Sequence, residues 1–325
     1  MWQNGLWICD SCLSLFLIIR IVTWIRKGKL FGRDLCDLNW LKLNTQLPIP
    51  YLIDENRLRL YLTFCDEQNR GRLGYIDVNP DNPSEIYGYS KEPLLDLGKT
   101  GRFDENGVVS TAILPMGDRI ILYYCGFQRH VNYPYSSLTG IAISNDNGES
   151  FERVKETPLL ERTDGEMFIR TGAGIYKYGD IYRLYYAAGN EWINLNGKLV
   201  PKYSFKYIDS ESPYNFEGEG RILFPLKDDE YGMTTPQILE TENGYEMVYS
   251  IRSVSDGYRM GYAVSENGID FIRRDEWIDI KRPVGAFDSE MICYGKLYRN
   301  KERLYLFYSG NHFGMDGIGW AEYEE

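Results

Sequence analysis

Three short stretches of this chain place carboxyl groups just ahead of an apolar strand pattern. GRFDENGVVS carries Asp104 and Glu105, KDDEYGMTTP carries Asp229 and Glu230, and GAFDSEM carries Asp288 and Glu290. Asp104 and Asp288 each follow a phenylalanine, Phe103 and Phe287, a parallel that lifts them above the background of 47 acidic residues. Two carboxyl groups about 5–10 Å apart can cleave an acetal, one protonated to assist the leaving oxygen and one ionised to attack or to activate water. In that scheme Asp104 is base or nucleophile, Glu230 is the acid, and Asp288 sets a pKa or positions the substrate. Aspartate also favours turns, where it bonds to nearby backbone, so a structural role stands beside the chemical one.

Cations and rings supply a second set of candidates, these for binding. Arg170 in MFIRTGAG is followed by small residues that let a ligand approach the backbone. Its planar guanidinium suits hydroxyls, a carboxylate or a phosphate, and a salt bridge is the structural alternative. Arg252 in YSIRS, Lys206 in SFKY and Glu290 join it as substrate-binding candidates. Trp192 in AAGNEWINLNG, with Tyr133 and Tyr135 in QRHVNYPYS, lies in a long connection where a rigid scaffold can present flat rings. His312 in SGNHFGMDG is either a site histidine or a structural one.

The elements that must position these residues come from an internal repeat. A Tyr-rich strand recurs as RLRLYLTFC (57–65), RIILYYCGF (119–127), IYRLYYAAG (181–189), YEMVYSIR (245–252) and RLYLFYSGN (303–311). Leu62, Tyr124, Tyr186, Tyr249 and Tyr308 then stand 62, 62, 63 and 59 residues apart. A further strand follows each copy: GYIDV, GIAIS, KYIDS, GYAVS and GWAEY. Another precedes it: PIPYLID, VVSTAIL, TGAGIYK, TTPQILE and MICYGKLY. With an outer strand reached through turns such as SNDNGESF and SENGIDF, each copy holds four short strands. Five such copies predict an all-β, five-bladed β-propeller, with blades near 40–95, 96–157, 158–220, 221–280 and 281–325. A β-sandwich also has many short strands but not five copies at nearly constant period. In a propeller the innermost strands line a channel, so the residues that begin them gather at one mouth.

With that architecture the motifs resemble the five-bladed glycosidase superfamily. The resemblance rests on the five-blade period, the A-x-S-x-[DN]-G-x-x-F turn, FDENGV before the second blade and FDSEM before the fifth, and it covers roughly residues 24–325. That superfamily contains invertase-like β-fructosidases, arabinanases, β-xylosidases and mannoside phosphorylases. Invertase-like members carry Asn-Asp-Pro, Arg-Asp-Pro and Glu-Cys-Pro in blades one, three and four. Here the matching stretches are Gln46-Leu47-Pro48, Arg170-Thr171-Gly172 and Thr234-Thr235-Pro236, so those three carboxylates are absent. The resemblance implies glycoside hydrolysis with the acids named above. Its rivals are phosphate-dependent glycosyl transfer, drawing on Arg170, Arg252 and Lys206, and sugar binding without turnover.

Composition bounds the rest. The 325 residues include 27 Tyr and 32 Gly, the balance of strands and tight turns. A net charge of −11 repels a phosphate backbone, so the expected partner is carbohydrate rather than nucleic acid. Cys9 and Cys12 are the only cysteines spaced for metal or redox work, and neither His130 nor His312 lies near them, so no metal or cofactor is expected. The scattered cysteines fit reduced thiols in a cytoplasmic protein. Residues 1–23 form an N-terminal extension outside the propeller. Within them Asp10 and Arg20 interrupt the apolar run, which falls short of the roughly 20 residues of a membrane span. The sugar, the stereochemical course and the oligomeric state have no signature in the sequence.

Overall fold

The computed structural model describes residues 23–324, so the extension anticipated for residues 1–23 lies, up to residue 22, outside the described residues. The fold is all-β. After β1 (Thr23–Phe31) the chain runs through five antiparallel meanders, here called units. Unit 1 holds β2 (Thr45–Asp54), β3 (Arg57–Cys65), β4 (Gly71–Asn79) and β5 (Asn82–Tyr89). Unit 2 holds β6 (Val108–Met116), β7 (Arg119–Arg129), β8 (Tyr135–Ser144) and β9 (Glu152–Arg153). Unit 3 holds β10 (Ile169–Tyr178), β11 (Ile181–Leu195), β12 (Lys198–Ser210) and β13 (Arg221–Phe224). Unit 4 holds β14 (Glu230–Thr241), β15 (Gly244–Ser253), β16 (Gly257–Ser265) and β17 (Ile272–Arg273). Unit 5 has β18 (Cys293–Asn300), β19 (Arg303–Ser309) and β20 (Ile318–Glu324), and β1 pairs with β20 as its fourth strand. Units 2 and 3 are fused into one sheet by the parallel pairs Ile169–Ser137 and Arg170–Leu138.

The second strand of each unit explains the packing. In β3 every residue after Arg57 is buried, and in β7 the seven residues from Ile120 to Gly126 are. Strands apolar on both faces must be sandwiched, and each unit is covered by its neighbours. The core accordingly divides into clusters lying between successive units. Leu60 and Phe64 of unit 1 pack with Phe307 and Trp320 of unit 5, while Tyr61 of unit 1 packs with Leu122 and Tyr124 of unit 2. Tyr123 meets Leu184 between units 2 and 3, Phe205 meets Met247 between 3 and 4, and Val248 meets Leu306 between 4 and 5.

The turns SNDNGESF (144–151) and SENGIDF (265–271) are docking devices. In unit 2, Gly148 donates its N–H to Ser144 Oγ at 2.8 Å, and its carbonyl accepts from Arg59 Nη1 at 3.1 Å and Tyr61 Oη at 3.2 Å in unit 1. In unit 4, Gly268 bonds to Ser265 Oγ at 3.0 Å, and its carbonyl accepts from Arg183 Nη1 at 3.2 Å and Tyr185 Oη at 2.6 Å in unit 3. The phenylalanines closing the motif, Phe151 and Phe271, present their rings edge-on to the same Tyr61 and Tyr185.

Candidate functional site

The start of each unit's first strand is distorted in the same way. Register shifts fall between Gln46 and Ile49, Ser110 and Ala112, Thr171 and Gly174, Thr234 and Gln237, and Cys293 and Lys296. Four of these bulges hold a residue in left-handed backbone: Leu47 (φ 55°), Gly172 (φ 64°), Thr235 (φ 55°) and Tyr294 (φ 58°). For Thr235, a β-branched residue, that conformation is strained, and such strain collects at functional places. Side chains of the preceding unit hold the bulges. Leu47 N–H donates to Ser309 Oγ at 3.1 Å, Ser110 N–H to Thr63 Oγ1 at 3.1 Å, Gly172 N–H to Cys125 Sγ at 3.2 Å, and Tyr294 N–H to Ser250 Oγ at 2.7 Å. The acceptors directly follow the repeat positions Leu62, Tyr124, Tyr249 and Tyr308. In unit 3 the equivalent residue is Ala187, which has no acceptor to offer Thr235.

Below the bulges, first-strand residues of all five units line a cavity of about 180 Å³ that includes Ile49, Thr111, Gly174, Gln237 and Lys296. Lys296 is buried, and its Nζ donates to the Thr235 carbonyl at 3.2 Å and the Pro236 carbonyl at 3.3 Å. Burial pushes this amine down to about 7.

Beside the bulges lies a band of aromatic rings. Trp192 of unit 3 meets Tyr135 of unit 2 at 5.3 Å between centroids, edge to face, and Tyr133 at 6.0 Å. Tyr133 continues to Phe168 at 4.9 Å and stacks on His130 at 4.3 Å. On the other side Tyr258 of unit 4 meets Tyr294 at 5.8 Å and Phe313 at 5.0 Å, both from unit 5. Between the two groups stands Arg252, whose guanidinium carbon lies 4.6 Å from the Tyr231 ring centre, 5.0 Å from Tyr258 and 5.6 Å from Tyr203. Its Nη1 donates to Tyr203 Oη at 3.2 Å, its Nε is buried without a partner, and no carboxylate pairs with it among the described residues. Burial drives Tyr135 well above the ordinary tyrosine range, with the nearby Arg252 charge acting against that rise.

The acids read from the sequence as catalytic are each paired with an arginine. Asp104 has no exposed surface, and its Oδ2 accepts from Arg153 Nε at 2.7 Å and Tyr124 Oη at 3.0 Å. Asp288 is equally buried, held by Arg26 and by Tyr308 Oη at 2.9 Å. Glu230 takes Arg273 on both oxygens, at 2.6 and 2.8 Å, and Arg259 at 3.0 Å; these partners hold its carboxyl below the usual range despite burial. Arg170 and Lys206 share buried Glu166, Lys206 at 2.8 Å, with Tyr186 Oη at 2.9 Å on the same carboxylate. Each of these charged groups is thus paired within its own unit: Asp104 with Arg153, Arg170 and Lys206 with Glu166, Glu230 with Arg273, and Asp288 with Arg26 of β1. The parallel seen between Asp104 and Asp288 is real and has a packing cause. In units 2 to 5 the repeat tyrosine (Tyr124, Tyr186, Tyr249, Tyr308) donates to a carboxylate (Asp104, Glu166, Asp275, Asp288) that also holds an arginine.

Glu290 differs, being exposed with its Oε2 3.5 Å from His312 Nε2. His312 and Phe313 both take left-handed backbone, φ 53° and 61°, and Asn44 Nδ2 donates to their carbonyls at 2.8 and 3.0 Å. Of the binding candidates, the structure brings Trp192 and Arg252 onto the aromatic band. Sequence reasoning missed Tyr203, Tyr231, Tyr258 and Lys296. Lys296 had a signal, since the aligned first-strand positions are Ile49, Ala112, Gly174 and Gln237.

No family model matches the chain. An uncharacterized protein of Mycobacterium tuberculosis, Rv1502, is 27% identical over 306 residues, covering 93% of this chain and 100% of its own length. A solved glycoside hydrolase superposes with a TM-score of 0.70 at 14% identity, covering 93% of this chain and 91% of that one. A structure from the GH130 family of mannoside phosphorylases, a family containing hydrolases that target beta-1,2 mannosidic linkages in Candida mannan, gives 0.66 at 17% identity, covering 93% and 94%. The chain therefore has the fold shared by glycoside hydrolases and mannoside phosphorylases. Among the described residues no helix is long and apolar enough to cross a membrane.

Proposed function

We propose that the five units are the blades of a five-bladed β-propeller spanning residues 24–325, and that the chain recognises a glycoside at the mouth where its inner strands begin. Core clusters between successive units, and the bond from Leu47 back to Ser309, support the ring. The observation that carries the site is the aromatic band. Tyr135, Trp192, Arg252, Tyr258 and Phe313 come from four units and adjoin only through the fold. Flat rings suit the C–H faces of sugars, and unpaired donors await hydroxyl or acidic oxygens.

Hydrolysis is the second reading, and the Glu290–His312 pair favours it, because Glu290 is a named acid with surface to offer a substrate. Hydrolysis through Asp104, Glu230 and Asp288 requires each carboxylate first to leave the arginine it holds. Free thiols at Cys36, Cys65, Cys125 and Cys293 support the cytoplasmic assignment, and the net charge of −11 supports a partner other than nucleic acid.

A screen of oligosaccharides and aryl glycosides, with and without inorganic phosphate, tests the readings. Calorimetry reads binding and chromatography reads product. Binding without product supports recognition alone, product without phosphate supports hydrolysis, and product only with phosphate means glycosyl transfer. Absence of binding to any glycan overturns the proposal.

A further inference from the structure

We propose that the ligand of this mouth is an acidic sugar whose carboxylate is received by Arg252. The inference rests on glycoside recognition at the mouth and adds the charge of the ligand. Arg252 is 9% exposed, and a guanidinium so far removed from water ordinarily has a carboxylate beside it. The other buried arginines here obey that rule: Arg59 holds Asp77, Arg183 holds Asp209, Arg273 holds Glu230, and Arg170 holds Glu166. Arg252 has tyrosines instead.

The surrounding atoms favour an anion of one shape. The Nε of Arg252 is unpartnered, Nη1 is taken by Tyr203, and Tyr135 interacts with the same guanidinium, so a carboxylate would be received on the Nε side beside tyrosine hydroxyls. Three tyrosine rings close around the guanidinium, an environment that a flat carboxylate meets with less crowding than a tetrahedral phosphate. Gly232 lets Tyr203 and Arg252 pack this closely. A Cβ there would stand 2.7 Å from the Tyr203 ring and 3.1 Å from Arg252 Cδ. A second, independent donor points the same way: Trp192 Nε1 is also buried without a partner, and Trp192 lies against Tyr135, whose ionisation Arg252 influences. Two unsatisfied donors and a ring of hydroxyls call for a ligand rich in acceptors.

Trimers of galacturonic, glucuronic and mannuronic acid, each beside its methyl ester, are titrated into the protein by calorimetry, with galactose 6-phosphate as a further probe. The esters keep shape and hydroxyls but lose the charge. At least one acid should bind about tenfold or more tighter than its ester, as expected for a charge-assisted pair in a desolvated site. Arg252→Gln should abolish that difference while ester binding persists. Equal affinity for every acid and its ester, or a preference for the phosphate, overturns the carboxylate assignment and leaves glycoside recognition standing. No binding of any sugar overturns both. Should Arg252→Gln fail to fold, the comparison of acid with ester on the parent protein decides alone.

Discussion

Arg26 holds Asp288 with two parallel hydrogen bonds, Nε to Oδ2 and Nη2 to Oδ1, both 2.7 Å, across 262 residues of sequence. The pair fastens β1 to the turn ahead of β18. Arg26→Met should leave Asp288 as a buried charge without a cation and cost about 3–5 kcal/mol. The measurement is the urea midpoint at pH 7, and an unchanged midpoint would contradict the clamp. Deleting residues 1–31, which removes β1 as well, should abolish the cooperative transition.

Asp104→Asn distinguishes packing from chemistry at a position that sequence alone leaves open. The clamp to Arg153 and Tyr124 predicts a loss of about 2 kcal/mol, as for other hydrogen bonds to charged groups, with sugar binding intact in the folded protein. Normal stability with turnover abolished would return Asp104 to the reaction.

Gly148→Ala and Gly101→Ala form a controlled pair. Both glycines have positive φ, 83° and 87°, so both alanines meet a backbone cost of about 1 kcal/mol. At Gly148 the new Cβ also lands 1.8 Å from Tyr61 Oη, whereas nothing lies within 4 Å of it at Gly101. Gly148→Ala should therefore lower the thermal midpoint clearly more than Gly101→Ala, and equal shifts would remove the docking role of the turn.

Lys296 gives stability a pH slope. Its folded value of about 7 lies below the ordinary 10.5, so between these limits the unfolded chain binds more protons than the folded one. The Lys296 contribution should then rise as pH increases from about 7 toward 9, opposed at the upper end by the buried thiols of Cys65, Cys125 and Cys293, whose raised values let the unfolded chain ionise first. Lys296→Met should flatten that rise. Denaturant melts at pH 7, 8 and 9 on both proteins provide the measurement, and parallel slopes would count against a depressed amine.

The five-fold strand pattern was legible because strands sandwiched on both faces must be apolar and aromatic throughout, which periodicity exposes directly. β1 was not. WIRKGKLF finds its partner in β20 nearly 300 residues later, and no local hairpin advertises the pairing. Phe103-Asp104 and Phe287-Asp288 read as equivalent, and the structure makes them so, yet an aspartate gripping an arginine under a phenylalanine has the same local sequence as one facing a substrate. Trp192 and Arg252 stood out as unusual residue types at their positions. Tyr203, Tyr231 and Tyr258 did not, since 27 tyrosines share the chain and only three-dimensional proximity separates the ring around a cation from ordinary packing.

The pairing of β1 with β20 also sets a timetable. On the ribosome, β1 emerges first among the described strands, and its partner leaves the exit tunnel last. Until β20 emerges, Trp24, Leu30 and Phe31, buried in the finished protein, belong to an edge strand with nothing to pair. Units 1 to 4 can pack in succession as they are made, but β1 stays unpaired until β20 has emerged. The hazard of that interval is capture of the free β1 by the unpaired β20 edge of a neighbouring nascent chain.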